Sequence, residues 1–176
     1  MIYEPAEDSF LLKYQIDSFV TDGMRVLDVG TGSGILALEA KDCGADVYAV
    51  DINPDAVKFC KNLGIKAKVS DLFSNVPDGD KFDLIIFNPP YLPKDELEDD
   101  ESAVVTSGGE KGNEILERFL IGAKDYLSNN GSLLFLSSSL TPEVDNILTR
   151  EGYDFKVVAK EDLFFEKLFV YSAWKR

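Results

Sequence analysis

The chain has 176 residues, 45% hydrophobic and 28% charged, a composition that suits one globular domain over 1–176 and excludes a disordered or fibrous chain. Its formal net charge of −14 opposes binding to polynucleotides, whose affinity rests on Lys and Arg against phosphates, and no apolar run approaches the ~20 residues that span a bilayer. The absence of histidine, beside two cysteines, removes Ser-His and Cys-His nucleophiles and a closed structural zinc site, so no metal is expected.

Met1 leads directly into an acidic, Pro-containing stretch with no signal-peptide character, so a cytoplasmic chain is expected. Residues 7–20 place Phe10, Leu11, Tyr14 and Ile16 at helical spacing, and an opening helical segment over 1–22 that covers the ligand site is predicted. A short apolar strand follows at 25–29, ending at a glycine-rich turn. A helix over 35–43 stops at Gly44, and a second strand runs over 46–51. Asn53 caps the next helix with Pro54 in its first turn, and Gly64 ends it. A third strand covers 66–71 and a fourth, very apolar one 82–88, where Pro89-Pro90 stops it.

Residues 92–111 read as a long polar loop carrying an acidic run from Glu96 to Glu101, and loops of that length often act as lids. An amphipathic helix spans 112–127, a fifth strand 132–138, and a last helix runs from Thr141-Pro142 to about Gly152. Two final strands, 155–160 and 166–175, have no helix between them and should pair antiparallel at one edge. Alternation of strand and helix elsewhere predicts an α/β fold: a Rossmann-like seven-stranded sheet, mostly parallel, with helices on both faces. Cys43 and Cys60 read as small buried residues.

The stretch from Val26 to Gly34 sets Gly30, Gly32 and Gly34 between a strand and a helix, where doubly wound folds bind ligands. The spacing is G-x-G-x-G and differs from the dinucleotide pattern. Asp28 precedes it; a carboxylate there repels a pyrophosphate and suits an ammonium, which favours S-adenosylmethionine over NAD. Asp51 ends the second strand, where an acid accepts from ribose hydroxyls, and Asp71 ends the third, where it accepts from an adenine amino group beside the Leu72 backbone. A bare strand-to-helix turn without ligand is the alternative for the glycines alone; three carboxylates at three successive strand ends argue against it.

Asn88-Pro89-Pro90-Tyr91 follows the fourth strand. Pro89 pushes Asn88 to an extended conformation, and neither proline has an N–H, so the turn offers carbonyls and the Asn88 amide to an NH₂ group. Tyr91 is placed to stack on a flat acceptor. Methyl transfer from an activated sulfonium to such a nitrogen needs positioning more than a strong base, in keeping with a histidine-free chain.

These segments resemble class I methyltransferases of the HemK/PrmC type, in particular the short archaeal and eukaryotic branch that methylates the Gly-Gly-Gln glutamine of translation release factors. The resemblance rests on YEPAEDSFLL at 3–12, LDVGTGSG at 27–34, Asp51, the DLF at 71–73, NPPYLP at 88–93, GGEKGNEILERFL at 108–120 and FFEKLFVYSAWKR at 164–176, nearly the whole chain. It implies cofactor contacts at Ser9, Asp28, Gly30, Asp51, Asp71 and Leu72, and a substrate grip at Asn88, Pro89, Pro90 and Tyr91; Gly32, Gly34 and Asn88 are also expected to line the cofactor site. It also implies a release factor as substrate and a small zinc-binding activator as partner. The extra helical domain of bacterial members is expected to be absent. The stretch before the paired glycines, VVTSGG, departs from the Ala-rich approach usual in the family. A nucleic-acid aminomethyltransferase acting on adenine N6 or guanine N2 has the same planar NH₂ target, and a protein lysine methyltransferase is a further alternative; the charge favours a protein acceptor.

Overall fold

A computed structural model describes residues 5–92 and 106–176. Among these residues the strands are β1 (Arg25–Val29), β2 (Asp46–Asp51), β3 (Lys66–Val69), β4 (Phe82–Phe87), β5 (Leu127–Ser138), β6 (Tyr153–Asp162) and β7 (Lys167–Lys175). The helices are α1 (Glu7–Lys13), α2 (Ile35–Asp42), α3 (Pro54–Asn62), α4 (Glu114–Ala123) and α5 (Val144–Arg150), with a 3-10 turn over Ile16–Ser18. The strands form one sheet in the order β3-β2-β1-β4-β5-β7-β6. The first five are parallel, and β7 runs antiparallel to both β5 and β6.

Both faces of the sheet are covered, which is why its central strands read as continuous apolar runs. Alternate residues of β4 and β5 divide between two cores. Ile85, Phe87, Leu133 and Phe135 pack with α4 and α5 through Phe119, Leu120, Ile147 and Leu148. Leu84, Ile86, Leu134 and Leu136 pack with α1, α2 and α3 through Leu12, Ala37, Ala40 and Cys60. Helix α3 starts as its sequence dictates: Asn53 Oδ1 accepts the Asp55 N–H at 2.9 Å, and Pro54 occupies the first turn.

Several sequence expectations shift; the fifth strand, for one, starts at Leu127 and not at 132. The predicted opening helix breaks after Lys13 into the 3-10 turn, and its buried face is Leu12 and Ile16. Phe10 and Tyr14 instead stack outward with ring centroids 6.5 Å apart, Tyr14 being 70% exposed. The helix predicted over 112–127 is confined to Glu114–Ala123, because Gly112 at φ +91° takes a left-handed conformation outside the helical range and β5 begins at Leu127. Strand β6 extends at both ends beyond 155–160, since β7 offers it a partner along its length. Cys60 is buried, but Cys43 is only half-buried at the end of α2.

Candidate active site

The register of the parallel strands gathers the sequence motifs on one edge. Val29 pairs with Val50 on one side and with Phe87 on the other, so Gly30, Asp51 and Asn88 emerge side by side where β1, β2 and β4 end. With strands ~4.8 Å apart, Asn88 and Asp51 stand about 10 Å from one another across the glycine turn. Asp71 lies two residues beyond β3, whose Val69 pairs with Asp51.

The glycine turn has backbone that other residues resist: Gly30, Gly32 and Gly34 have φ of +65°, +51° and +75°. A Cβ on Gly34 would stand 3.0 Å from Cys60 Sγ, so a side chain there would require Cys60 on α3 to give way. Asp51 ties the turn down. Its Oδ2 accepts the Gly32 N–H and its Oδ1 the Asn53 N–H, both at 2.8 Å. A carboxylate has about four acceptor sites, so lone pairs remain on both oxygens for a ligand.

Asp28 is enclosed beneath the turn, with no exposed surface, and neither carboxylate oxygen has a hydrogen-bond partner. Burial pushes its pKa up to about 7 and the Asp51 charge adds to the rise; the Thr31 hydroxyl and the Ala37 amide, close by but outside hydrogen-bond geometry with either oxygen, pull it down. The Thr31 hydroxyl lies 3.6 Å from Cys60 Sγ. Asp71 is exposed and ion-paired with Arg118 at 2.8 Å. Leu72 holds φ +48°, uncommon outside glycine, with its carbonyl accepting from Ser70 Oγ at 2.8 Å.

Asn88 is joined to the opening helix. Its Nδ2 donates to Asp8 Oδ2 at 3.2 Å and to Ser9 Oγ at 3.4 Å, while its Oδ1 is buried without a partner. An amide with its nitrogen engaged and its oxygen unmet keeps an unused acceptor. Pro89 is buried and Pro90 half-buried. Tyr91 packs against the core that contains Leu12 and Leu136, and its carbonyl accepts from Thr141 Oγ1 at 3.3 Å. Burial first, then the charges of Asp8, Glu166 and Glu7, raise the Tyr91 phenol far above its usual range, so it stays neutral.

The chain returns to this turn after residues 93–105, which fall outside the described residues together with the acidic run Glu96–Glu101. Leu92 N–H donates to the Thr106 carbonyl at 3.0 Å, and Gly108 N–H to the Leu92 carbonyl at 2.8 Å. Gly108 lies so near the turn that a Cβ would meet the Pro90 carbonyl oxygen at 2.8 Å. The Glu114 carboxylate organises the return by accepting from the amides of Lys111, Gly112 and Asn113.

The residue reading missed Asp8, Glu114 and Thr141. Asp8 stands beside Ser9 in a quoted motif, so an acid next to a named contact was the available signal. Nothing local in the sequence pairs Thr141 with Tyr91, fifty positions apart. Among the described residues no cluster of three or more His, Cys, Asp or Glu side chains suited to a metal ion occurs.

A glycine turn, three strand-end carboxylates and an acceptor-lined Asn-Pro-Pro-Tyr turn on one edge of a 3-2-1-4-5-7-6 sheet are the marks of a class I S-adenosylmethionine-dependent methyltransferase. The methyltransferase small-domain family model matches residues 9–165. A Methanocaldococcus jannaschii protein, provisionally named a protein N5-glutamine methyltransferase, is 41% identical over 99% of this chain and 92% of its own. Human methyltransferase HEMK2 is 31% identical over 86% of this chain and 79% of its own. The release factor glutamine methyltransferase of Clostridium acetobutylicum is 32% identical over 73% of this chain, a match that spans 52% of that relative. The chain therefore belongs to the methyltransferase small-domain family and is a methyltransferase. In fold it is similar to the E. cuniculi Mtq2-Trm112 structure, with a TM-score of 0.81, 24% identity and 99% of both chains covered.

Proposed function

We propose that the chain transfers a methyl group from S-adenosylmethionine to the side-chain amide nitrogen of a glutamine in a translation release factor. The observation that carries the reading is the buried, unpartnered Oδ1 of Asn88 at the end of β4, on an amide whose nitrogen is tied to Asp8 and Ser9. Relatives named as glutamine methyltransferases, two of them of release factors, support the acceptor.

The residues present fit the cofactor. The unpartnered Asp28 carboxylate supplies a buried negative charge for an ammonium, and the spare lone pairs of Asp51 suit ribose hydroxyls. Asp71 and the Leu72 backbone would meet the adenine, with Ser9 and the turn at Gly30, Gly32 and Gly34 completing the cradle. When bound, the cofactor supplies a methyl already activated by a positive sulfur. Asn88 Oδ1 and the Pro89 carbonyl accept the two N–H groups of the acceptor and fix the direction of its nitrogen. Pro90 and Tyr91 shape the wall of the grip. The fixed carbonyl dipoles favour the positive charge that grows on that nitrogen, whose proton then leaves to water. The neutral Tyr91 phenol takes no part as a base.

In this reading residues 1–176 act as one catalytic domain, and the described part of the opening segment, through Asp8 and Ser9, covers the cofactor site. The enzyme works in the cytoplasm with its substrate; no helix of the described residues is long and apolar enough to cross a membrane. The Mtq2-Trm112 neighbour, a complex responsible for eRF1 methylation, supports a small activator as partner here too; zinc binding by that activator rests on the family resemblance alone.

The test incubates the chain, with and without such an activator, with methyl-labelled cofactor and separately with its release factor, total tRNA and duplex DNA. Label on the release factor, located on glutamine by mass spectrometry, is expected. Label confined to nucleic acid, or located on lysine, refutes the reading. Asn88→Ala should abolish transfer while leaving cofactor affinity nearly intact.

A further inference from the structure

The β6–β7 hairpin ends in two aromatic side chains with almost no cover. Phe164 is 92% exposed and Phe165 87%, their rings edge to face at 4.6 Å. A pair of bare phenylalanines on a tight turn, closed by the Leu163 N–H on the Glu166 carbonyl at 2.8 Å, contributes nothing to the core. The base of the hairpin is fastened to the end of β5: Ser139 N–H donates to the Lys167 carbonyl at 2.8 Å, Lys167 N–H to Ser139 Oγ at 3.0 Å, and Ser138 Oγ to Glu166. Beside that base lies an open groove of about 270 Å³, lined among others by Ser138, Thr141, Glu143, Asp145 and Phe169.

Two features connect this surface to the reacting turn. Thr141, in the groove wall, holds the Tyr91 carbonyl at 3.3 Å. The charge of Glu166, at the hairpin base, is felt by the Tyr91 phenol. The surface is also acidic: Glu143, Asp145, Glu161, Asp162 and Glu166 stand against Lys160 and Lys167, and Lys167 is already paired with Asp162 at 3.5 Å. Asp145 accepts from the Tyr171 hydroxyl at 3.0 Å, and Glu143 is exposed.

We infer that the Phe164–Phe165 tip and the adjoining groove form a docking surface for the segment of the protein substrate flanking its methylated side chain, a segment carrying basic residues and at least one apolar side chain. The inference rests on the protein-acceptor reading above and adds how that acceptor is selected. The aromatic pair supplies apolar contact area, and the carboxylates select basic neighbours and repel acidic ones. A second copy of this chain is a poor occupant, because its net charge of −14 would set like charges against this acidic surface.

The experiment uses the full chain, its activator in every arm, and its own release factor as acceptor. Phe164→Ser with Phe165→Ser should raise KM for the release factor about tenfold, the scale of an interfacial aromatic anchor, with kcat at saturation and cofactor Kd retained. Glu143→Lys should raise KM and flatten its dependence on salt. Both sites are exposed, and unchanged thermal melting identifies variants that fold as the parent does. Transfer by the parent chain with KM unmoved in both variants overturns the docking surface and leaves the glutamine reading standing. No transfer to the release factor by the parent overturns that reading and the docking surface with it. A parent dimer that the aromatic substitutions dissociate assigns the tip to a second copy and also overturns the inference.

Discussion

Asn88 carries a donor and an acceptor on one planar group, and the structure uses them on opposite sides. Asp8 and Ser9 take the nitrogen, which leaves the oxygen unpartnered and, in the proposed reaction, open to the acceptor N–H. Without Asp8 the amide loses its 3.2 Å anchor and can rotate. Asp8→Ala should therefore lower kcat by up to about 100-fold, the cost of a small misplacement of a reacting group, while cofactor Kd stays unchanged. Asp8→Asn, whose amide oxygen still accepts, should retain more activity. Single-turnover transfer beside equilibrium cofactor binding separates the two, and parental kcat in Asp8→Ala would refute this positioning role.

Asp28 makes a second prediction at the same scale. Its folded pKa is raised from 3.8 to about 7, so between those values the folded chain holds a proton that the unfolded chain has released. Its contribution to stability is thus full below pH 3.8 and is lost as pH rises through about 7. Asp28→Asn should remove this loss, raising the Tm of the cofactor-free protein above pH 7 by a few degrees, with little difference near pH 4. Under the proposed contact between the Asp28 carboxylate and the cofactor's ammonium, the same variant should weaken the cofactor and should erase a decline in the parent's affinity below about pH 7. Thermal melts and cofactor titrations across pH check both signs.

Among the elements, the approach to α4 depends most on one side chain. Glu114 gathers the amides of Lys111, Gly112 and Asn113, and in doing so keeps Gly108 against the Pro90 carbonyl. Partial burial works to raise the Glu114 carboxyl, and the amides of Lys111, Asn113 and Gly112 together bring it below its usual range. That contribution is present above the unfolded pKa and is lost as pH falls through the folded one. Glu114→Ala should cost about 1–2 kcal/mol of local stability at neutral pH and less in acid. Amide hydrogen exchange at residues 111–113 reads it directly, and unaltered protection would refute it. Helix α3 shows the opposite case, since Asn53 and Pro54 sufficed to place its start. The opening segment lies between these: its apolar spacing marked a helix, but only the 3-10 turn at Ile16–Ser18 shows that Leu12 and Ile16 face inward.

At the scale of the molecule, a charge of −14 and an acidic hairpin-and-groove surface act together against polyanions. The chain should show no saturable binding to total tRNA in a mobility-shift titration at physiological salt; a specific shift in the micromolar range would reopen the nucleic-acid alternative. The sequence by itself determined the strand-helix alternation, the edge where the sheet turns antiparallel, the glycine turn and the Asn-Pro-Pro-Tyr turn. Each of these is written in consecutive residues whose backbone preferences act locally. Only the tertiary structure decided that Asp8 holds Asn88, that Asp51 ties down the glycine turn, that Asp28 is sealed beneath it and that Thr141 reaches Tyr91. Those pairs join residues nineteen to eighty positions apart, or depend on burial, and neither separation nor burial is encoded in the residues on either side.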